Sequence, residues 1–336
     1  MLTKIRAGAL CLAVALACAC SKEGGETTVA TSAPLPTTAP ELMQRYIDCA
    51  RKADLPCAEA AVQAYVKLRP TDDKGLGTLA FVLNQEGKDK EAIAVYQQVL
   101  ADGVGTYDVF AGYADSLAKV GRTDEAIDWS YKTLKLVPSL VDVRGNLAKL
   151  LVRQHRRHEA LALLTEFDQH LDALGHDAYF TGQRVAIESL PDDGAATQGE
   201  LVQLRLVKLD NTYYAPVQAG KGPTEAFVVD TGATTTAVDD IFLADSKVPY
   251  RVTRGQVTIR LADGHSTVAR EVVIEHLHVG AFDLENVKAL ACRDCALLLG
   301  VNVLSQFNIN STEVQGVDTM TLSRREPGAS QANKAP

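Results

Sequence analysis

A 34-residue period runs through the first half of this 336-residue chain and constrains its fold more than any other feature. Leu79-Ala80, Tyr113-Ala114 and Leu147-Ala148 are 34 residues apart. So are Leu83, Leu117 and Leu151, the pairs Glu91-Ala92, Glu125-Ala126 and Glu159-Ala160, and Gly87 with Gly121. A fixed period of this length marks a stack of equivalent units, because one unit cannot bury its apolar face alone. Within each unit the apolar residues fall at helical spacing on two segments, separated by a polar turn such as Gly87-Lys88-Asp89 or Gly121-Arg122-Thr123. Each unit is therefore expected to be a helical hairpin, and three of them run from about Gly75 to Leu171.

This pattern resembles the tetratricopeptide repeat, in which small residues let the two helices pack closely and a proline, here Pro138, ends the second helix. Comparing residues 57–70 with 125–138 matches Ala58 to Ala126, Val66 to Leu134, Lys67 to Lys135, Leu68 to Leu136 and Pro70 to Pro138, so a degenerate first unit precedes the clear ones. Cys49 and Cys57 flank its interhelical turn. They read as a disulfide stapling an end repeat that has a neighbour on one side only. Residues 172–190 are expected to form a capping helix. The resemblance implies a concave groove that docks a peptide or partner protein, with a plain scaffold as the alternative. Arg153, His155, Arg156, Arg157 and His158 fall on an interhelical turn and read as solvated charge.

The N-terminus reads as an address. Lys4 and Arg6 precede the apolar run Ala7 to Ala19, which at 13 residues is too short to span a bilayer. Cys20 follows, with polar Ser21, Lys22 and Glu23 directly after it. This resembles a bacterial lipoprotein signal over residues 1–19, with Cys20 as the lipidated residue and Cys18 as the alternative; an ordinary secretory signal cut near Ala19 is the other reading. Each of these readings exports the protein, and the lipoprotein reading places it in the bacterial cell envelope facing the periplasm, at the outer membrane ahead of the inner. Residues 20–40, rich in Thr and Pro, read as a disordered tether reaching roughly 25 Å at ~5–6 Å × √n.

Composition excludes several classes. Apolar residues make up 46% and charged residues 23% of the chain, ordinary globular usage, so a wholly disordered or polytopic membrane protein is set aside. Residues 1–190 hold 21 Lys and Arg against 24 Asp and Glu, and residues 191–336 hold 13 against 18. Neither half has the basic surplus that phosphate neutralisation needs, so nucleic acid is not an expected partner.

Past residues 191–199, a polar stretch that reads as a linker, the texture changes. Segments 201–208, 213–218, 225–229, 255–261, 267–279 and 286–291 are short, rich in Val, Leu, Ile and Thr, and separated by Asp-Asn, Gly-Lys-Gly-Pro and Asp-Gly turns. An all-β domain over 200–325 is expected, with a disordered tail at 326–336. Ala226-Phe227-Val228-Val229 runs straight into Asp230-Thr231-Gly232-Ala233-Thr234, and Leu297-Leu298-Leu299-Gly300-Val301-Asn302-Val303-Leu304 follows, then Phe307. Peptide hydrolysis without a metal or nucleophile needs one group to activate water and another to protonate the carbonyl, and two apposed carboxylates sharing a proton supply both.

Together these residues resemble the single-lobe retropepsin-like aspartic proteases, in particular bacterial chromosomal members. The resemblance implies an acid-protease barrel with Asp230, Thr231 and Gly232 as the catalytic loop: Asp230 as half of the dyad, Thr231 bonding across to an opposing loop, and Gly232 allowing close backbone approach. The later Asp318-Thr319 is followed by Met320, so the chain holds one Asp-Thr-Gly and a homodimer is implied. Ala233, Thr234 and Gly300 would line the substrate cleft. Ala262-Asp263-Gly264-His265 lies between two strands as a hairpin signal, and the resemblance makes Asp263, Gly264 and His265 the tip of the flap over the substrate. Ala233 lacks the hydroxyl that lowers a dyad pKa in two-lobed relatives, which implies work closer to neutral pH. The chain has Gly300-Val301-Asn302 where retroviral members have an Arg at the middle position, which removes a dimer-stabilising charge.

Cys292 and Cys295 read as a tight structural disulfide in an exported protein. Zinc held by both thiolates with His276 and His278 is the alternative, while no cofactor or metal is expected in the main reading. The leading function is an exported, dimeric aspartic endopeptidase with repeats for protein docking. Its rival is a catalytically silent periplasmic binding or assembly module.

Overall fold

The computed structural model describes residues 34–103, 105–190, 203–209, 211–260, 264–293, 295–314 and 316–325. The signal segment with Cys18 and Cys20, the linker 191–199, Asp263 and the tail 326–336 lie outside the described residues.

Eight helices form four antiparallel hairpins: α1 (Ala39–Arg51) with α2 (Leu55–Leu68), α3 (Asp73–Gln85) with α4 (Asp89–Ala101), α5 (Tyr107–Lys119) with α6 (Thr123–Leu136), and α7 (Val141–Arg153) with α8 (Arg157–Ala173). The first hairpin is the degenerate unit, and α1 begins at Ala39, two residues inside the stretch read as tether. The repeated small residues are the packing contacts. Ala92, Ala126 and Ala160 are fully buried, and Leu83, Leu117 and Leu151 lie beside them at no more than 5% exposure. Cys49 is bonded to Cys57, joining the end of α1 to the start of α2.

The turns keep the period more strictly than the residues do. Ala53, Gly87, Gly121 and His155 are spaced by 34 and have φ of +54°, +74°, +84° and +57°. At each, the next amide closes the helix end onto the same relative carbonyl: Asp54 to Cys49, Lys88 to Leu83, Arg122 to Leu117 and Arg156 to Leu151. This is the glycine-favoured left-handed cap, and two of the four units adopt it without glycine. Because a side chain in this conformation costs roughly 1 kcal/mol, Ala53→Gly is expected to raise stability by about 0.5–1 kcal/mol. Urea denaturation under oxidising conditions measures it.

In place of one capping helix over 172–190, α8 runs on to Ala173 and a separate short helix follows, α9 (Thr181–Glu188). Asp168 makes the corner. Its Oδ1 accepts from the amides of Tyr179 and Phe180, both at 2.9 Å, and Phe180 packs edge-on against Phe167.

The described residues of the second half hold ten strands: β1 (Leu204–Leu209), β2 (Thr212–Ala219), β3 (Glu225–Val229), β4 (Thr236–Asp239), β5 (Tyr250–Arg260), β6 (Ser266–Val279), β7 (Phe282–Cys292), β8 (Leu298–Leu299), β9 (Phe307–Val314) and β10 (Val317–Arg324). Two short helices interrupt them, α10 (Asp240–Ser246) and α11 (Val301–Leu304). The strand order is β5-β6-β7-β4-β8-β3-β2-β1-β10-β9, and an additional β2–β6 pairing, Val217 opposite Val279, brings the sheet back on itself. Phe227, Phe282, Phe307 and Leu299 fill the enclosed core. The six expected strands are all present. β4, β8, β9 and β10 were not among them: β4 and β8 are four and two residues long, too short for alternation to show.

The two halves share a core. Val207 of β1 and Val317 of β10 belong to the apolar cluster of the repeats. Asp128 on α6 pairs with Arg205 on β1, and Lys135 donates to the Gly316 carbonyl. α6 and α8, with Arg184 and Glu188 of α9, meet the strands on this face, whereas α1, α3, α5 and α7 supply most of the lining of the groove, with cavities of about 870 Å³ around Phe81 and about 240 Å³ around Lys119 and Lys149.

Glu225 sits in that interface, where burial pushes its carboxyl up to about 7, against the pull of Arg184 and with Glu188, Asp239 and Asp245 adding to the rise. A carboxyl raised above its unfolded value of about 4.3 contributes stability that is full below that value and is lost as pH climbs through about 7. Relative to Glu225→Gln, the wild-type chain is expected to lose about 2–3 kcal/mol between pH 4.5 and 7.5. Paired denaturation curves across that range measure the difference, and a flat difference would remove the argument.

Candidate active site

Asp230 stands where β3 ends. The strand is anchored on both sides, antiparallel to β2 with Ala215 opposite Phe227, and parallel to β8 with Val229 opposite Leu299. The Asp230 amide donates to the Leu299 carbonyl at 3.1 Å. Apolar burial directly beneath, with Phe227 and Leu299 fully buried, keeps water from competing for these bonds.

The loop then turns tightly on the carboxylate itself. Asp230 Oδ1 accepts from the amides of Gly232 at 2.8 Å and Ala233 at 3.2 Å, which fixes the side chain in one orientation. A Cβ on Gly232 would stand 3.2 Å from that same oxygen, so glycine leaves the bond uncrowded. Thr231, Gly232 and Thr234 are exposed while Asp230 and Ala233 are half-buried, so the loop presents one edge outward.

A second loop locks onto the first. The amides of Val301 and Asn302 donate to the carbonyls of Ala233 and Thr234 at 2.8 and 3.2 Å. Asn302 Oδ1 accepts from both the amide and the hydroxyl of Thr236, at 2.8 and 3.0 Å, and Thr236 Oγ1 accepts from the Gly300 amide at 3.1 Å. Asn302 Nδ2 closes the knot on the Lys288 carbonyl. Thr236 is completely buried, so these bonds are shielded. Thr236 is absent from the residues singled out by sequence, although the Thr234–Thr236 run and the Asn two after Gly300 were visible signals.

Of the residues expected at a flap tip, Gly264 has φ +88° and His265 is exposed, between β5 and β6 whose ends pair as Arg260 opposite Ser266. β5 is an exposed edge strand with two register shifts, so the hairpin projects from the sheet. Cys292 and Cys295 are bonded to each other and pack with Ala269 of β6 and Ile259 of β5, toward the turn end of this hairpin. His276 and His278 face Asp283 instead, at 3.2 and 3.9 Å, so the four residues of the zinc alternative do not converge.

A two-carboxylate site needs a second aspartate presented to the first, and the Asp230 loop presents one carboxylate beside an exposed edge. Residues 216–306 match the family model described as "gag-polyprotein putative aspartyl protease". Over those residues the chain is similar to retropepsin-like aspartic proteases, and four helical hairpins like tetratricopeptide repeats precede them. Among solved structures, a retropepsin-like aspartic protease from Rickettsia conorii is 19% identical, over 36% of this chain and 92% of its own, with a TM-score of 0.27. MamA from Desulfovibrio magneticus is 20% identical, over 41% of this chain and 77% of its own, with a TM-score of 0.39. A tetratricopeptide repeat protein from Parabacteroides merdae is 19% identical, over 48% and 71%, at 0.36. A search of curated proteins returns no match.

Proposed function

We propose that the protein is an exported, lipid-anchored aspartic endopeptidase whose active site forms when two chains each contribute one Asp230. The observation that carries the reading is the Asp230 loop: a carboxylate oriented by two amides, bolted to the Gly300 loop and facing outward, occurring once per chain.

In the dimer, one Asp230 is ionised and takes a proton from water, while its partner, protonated, donates to the substrate carbonyl oxygen as the water oxygen attacks carbon. The proton taken by the first carboxylate then passes to the leaving amine as the C–N bond breaks, and the partner carboxylate takes back a proton from a hydroxyl of the tetrahedral intermediate. Thr231, exposed on each chain, bonds across the two-fold axis and holds the carboxylates coplanar. Ala233 supplies only its amide to Asp230, without the hydroxyl that would strengthen the ionised form, so the dyad works nearer neutral pH. Exposed Val301 and the open β9 edge with Ile309 lie on the elements next to the Gly300 loop and give an isologous partner apolar surface and strand pairing. The ring of strands completed by the β2–β6 pairing supports an acid-protease barrel. Anchoring at Cys20 and the tether keep chains close enough to pair, and the uncovered groove docks the protein partner.

Cleavage of a mixed peptide library by the protein lacking its first 20 residues, against Asp230→Asn and across pH 3 to 8, tests the reading together with the mass in solution. Equal products from the two proteins, or activity from a strict monomer, would overturn it.

A further inference from the structure

The residues that open the catalytic strand are held by the repeat array. Thr224, 4% exposed, donates its amide to Glu188 Oε1 at 3.0 Å, and its carbonyl accepts from Arg184 Nη2 at 3.1 Å and Thr165 Oγ1 at 3.4 Å. Glu225 accepts from Gln169 Nε2 at 3.0 Å and lies 3.7 Å from Arg184. Arg184 is itself oriented by Asp168 Oδ2 at 3.4 Å, on the carboxylate that anchors the start of α9 through its other oxygen. Both backbone polar groups of Thr224 are thus satisfied by α8 and α9. From there five residues of β3, tied to β2 and β8, run to Asp230, about 20 Å at ~3.3 Å per residue.

The same helix reaches the other way. Gln183 Nε2 donates to the Gly145 carbonyl of α7 at 2.9 Å. Gly182, Gln183 and Tyr179 line a cavity of about 270 Å³ with Gly145, Asn146 and Lys149, at the last turn of the odd-helix groove. One short helix therefore touches the groove with Gly182 and Gln183 and the catalytic strand with Arg184 and Glu188.

We propose that α9 is the positioning element of the catalytic strand: Arg184, acting through Thr224 and Glu225, sets where β3 delivers Asp230, and α9 couples that setting to occupancy of the cavity at the end of the groove. Packed between two elements, the helix cannot shift toward one without drawing its bonds away from the other. The inference rests on the proteolytic reading for its activity readout, and is independent of it for the readout in the strand.

Hydrogen exchange by mass spectrometry on the full folded chain separates the two. Arg184→Ala is expected to speed exchange of the 225–230 amides about tenfold or more, with α3 and α4 unchanged, and Arg184→Lys to fall between it and wild type. In cleavage assays, Arg184→Ala is expected to lower kcat and displace the pH profile, which a loss of folded protein alone does not do. Gly182→Trp, at a position with no heavy atom within 4 Å of where a Cβ would stand, fills the cavity and is expected to speed β3 exchange as well. Asp230→Asn should abolish cleavage and leave the 225–229 amides as in wild type. Unchanged β3 exchange in Arg184→Ala would overturn the positioning role, and unchanged exchange in Gly182→Trp the coupling; absence of cleavage by wild type would sink the proteolytic reading alone.

Discussion

Asp230→Asn is expected to lower peptide cleavage by about 10³-fold or more while the chain remains folded. The amide keeps an oxygen where Oδ1 accepts from Gly232 and Ala233, so the loop retains its bonds and loses about 1 kcal/mol of charge-assisted strength. What disappears is the exchangeable proton. An Asn can neither take a proton from water nor pass one to the leaving amine, so the variant homodimer holds neither acid nor base, and in a mixed pair the single carboxylate cannot be both at once. In the proposed dimer each site takes one residue from each chain, so the variant should also act in trans. Wild-type chain mixed with a tenfold excess of Asp230→Asn chain is expected to lose about nine-tenths of its activity, as mixed pairs replace active ones. Activity that merely tracks wild-type concentration in this mixing series would count against the shared site.

Gly300→Ala carries the second large effect, this time on folding. A Cβ there would stand 2.5 Å from the Thr235 carbonyl carbon, 2.8 Å from its oxygen and 2.8 Å from the Thr236 nitrogen. All three are backbone atoms, which cannot swing aside, so the two loops must part. Parting them breaks the Gly300 bond to Thr236 and strains the bonds that Asn302 makes to the same residue. Overpacking of a rigid site with loss of a buried hydrogen bond amounts to about 3 kcal/mol or more. The same substitution at Gly182, where the space is open, should cost nothing measurable. Thermal melts of the two variants compare them directly, and a Gly300→Ala chain as stable as Gly182→Ala would refute the close approach.

Much of this was legible beforehand because it is local. The repeat was visible as a period, and it extends to backbone conformation at Ala53 and His155, where the residue type gave no sign of the left-handed turn. The Asp-Thr-Gly loop and the Gly300 segment were visible because an apolar strand leads into each. Their separation in sequence, Asp230 to Gly300, fits parallel pairing of β3 with β8. Thr236 and Asn302 were not singled out because a buried side-chain knot depends on which loop lies opposite, and that is a matter of long-range contact. β9 escaped because seven of its eight residues are exposed, and β10, although largely buried, because Asp318, Thr319 and Thr321 dilute its apolar pattern.

The amino-acid sequence alone determined that this chain stacks helical hairpins and then builds a β domain around one aspartate loop. Period, turn chemistry and short motifs act over a few residues, so each leaves its mark in the residues themselves. The tertiary structure decided the rest: that the β domain docks on α6 and α8 with the groove left clear, that Thr236 and Asn302 bolt the two loops, and that α9 grips the root of the strand ending at Asp230. Such choices depend on how two surfaces far apart in the chain fit one another, and neither surface carries a periodic signature of its partner.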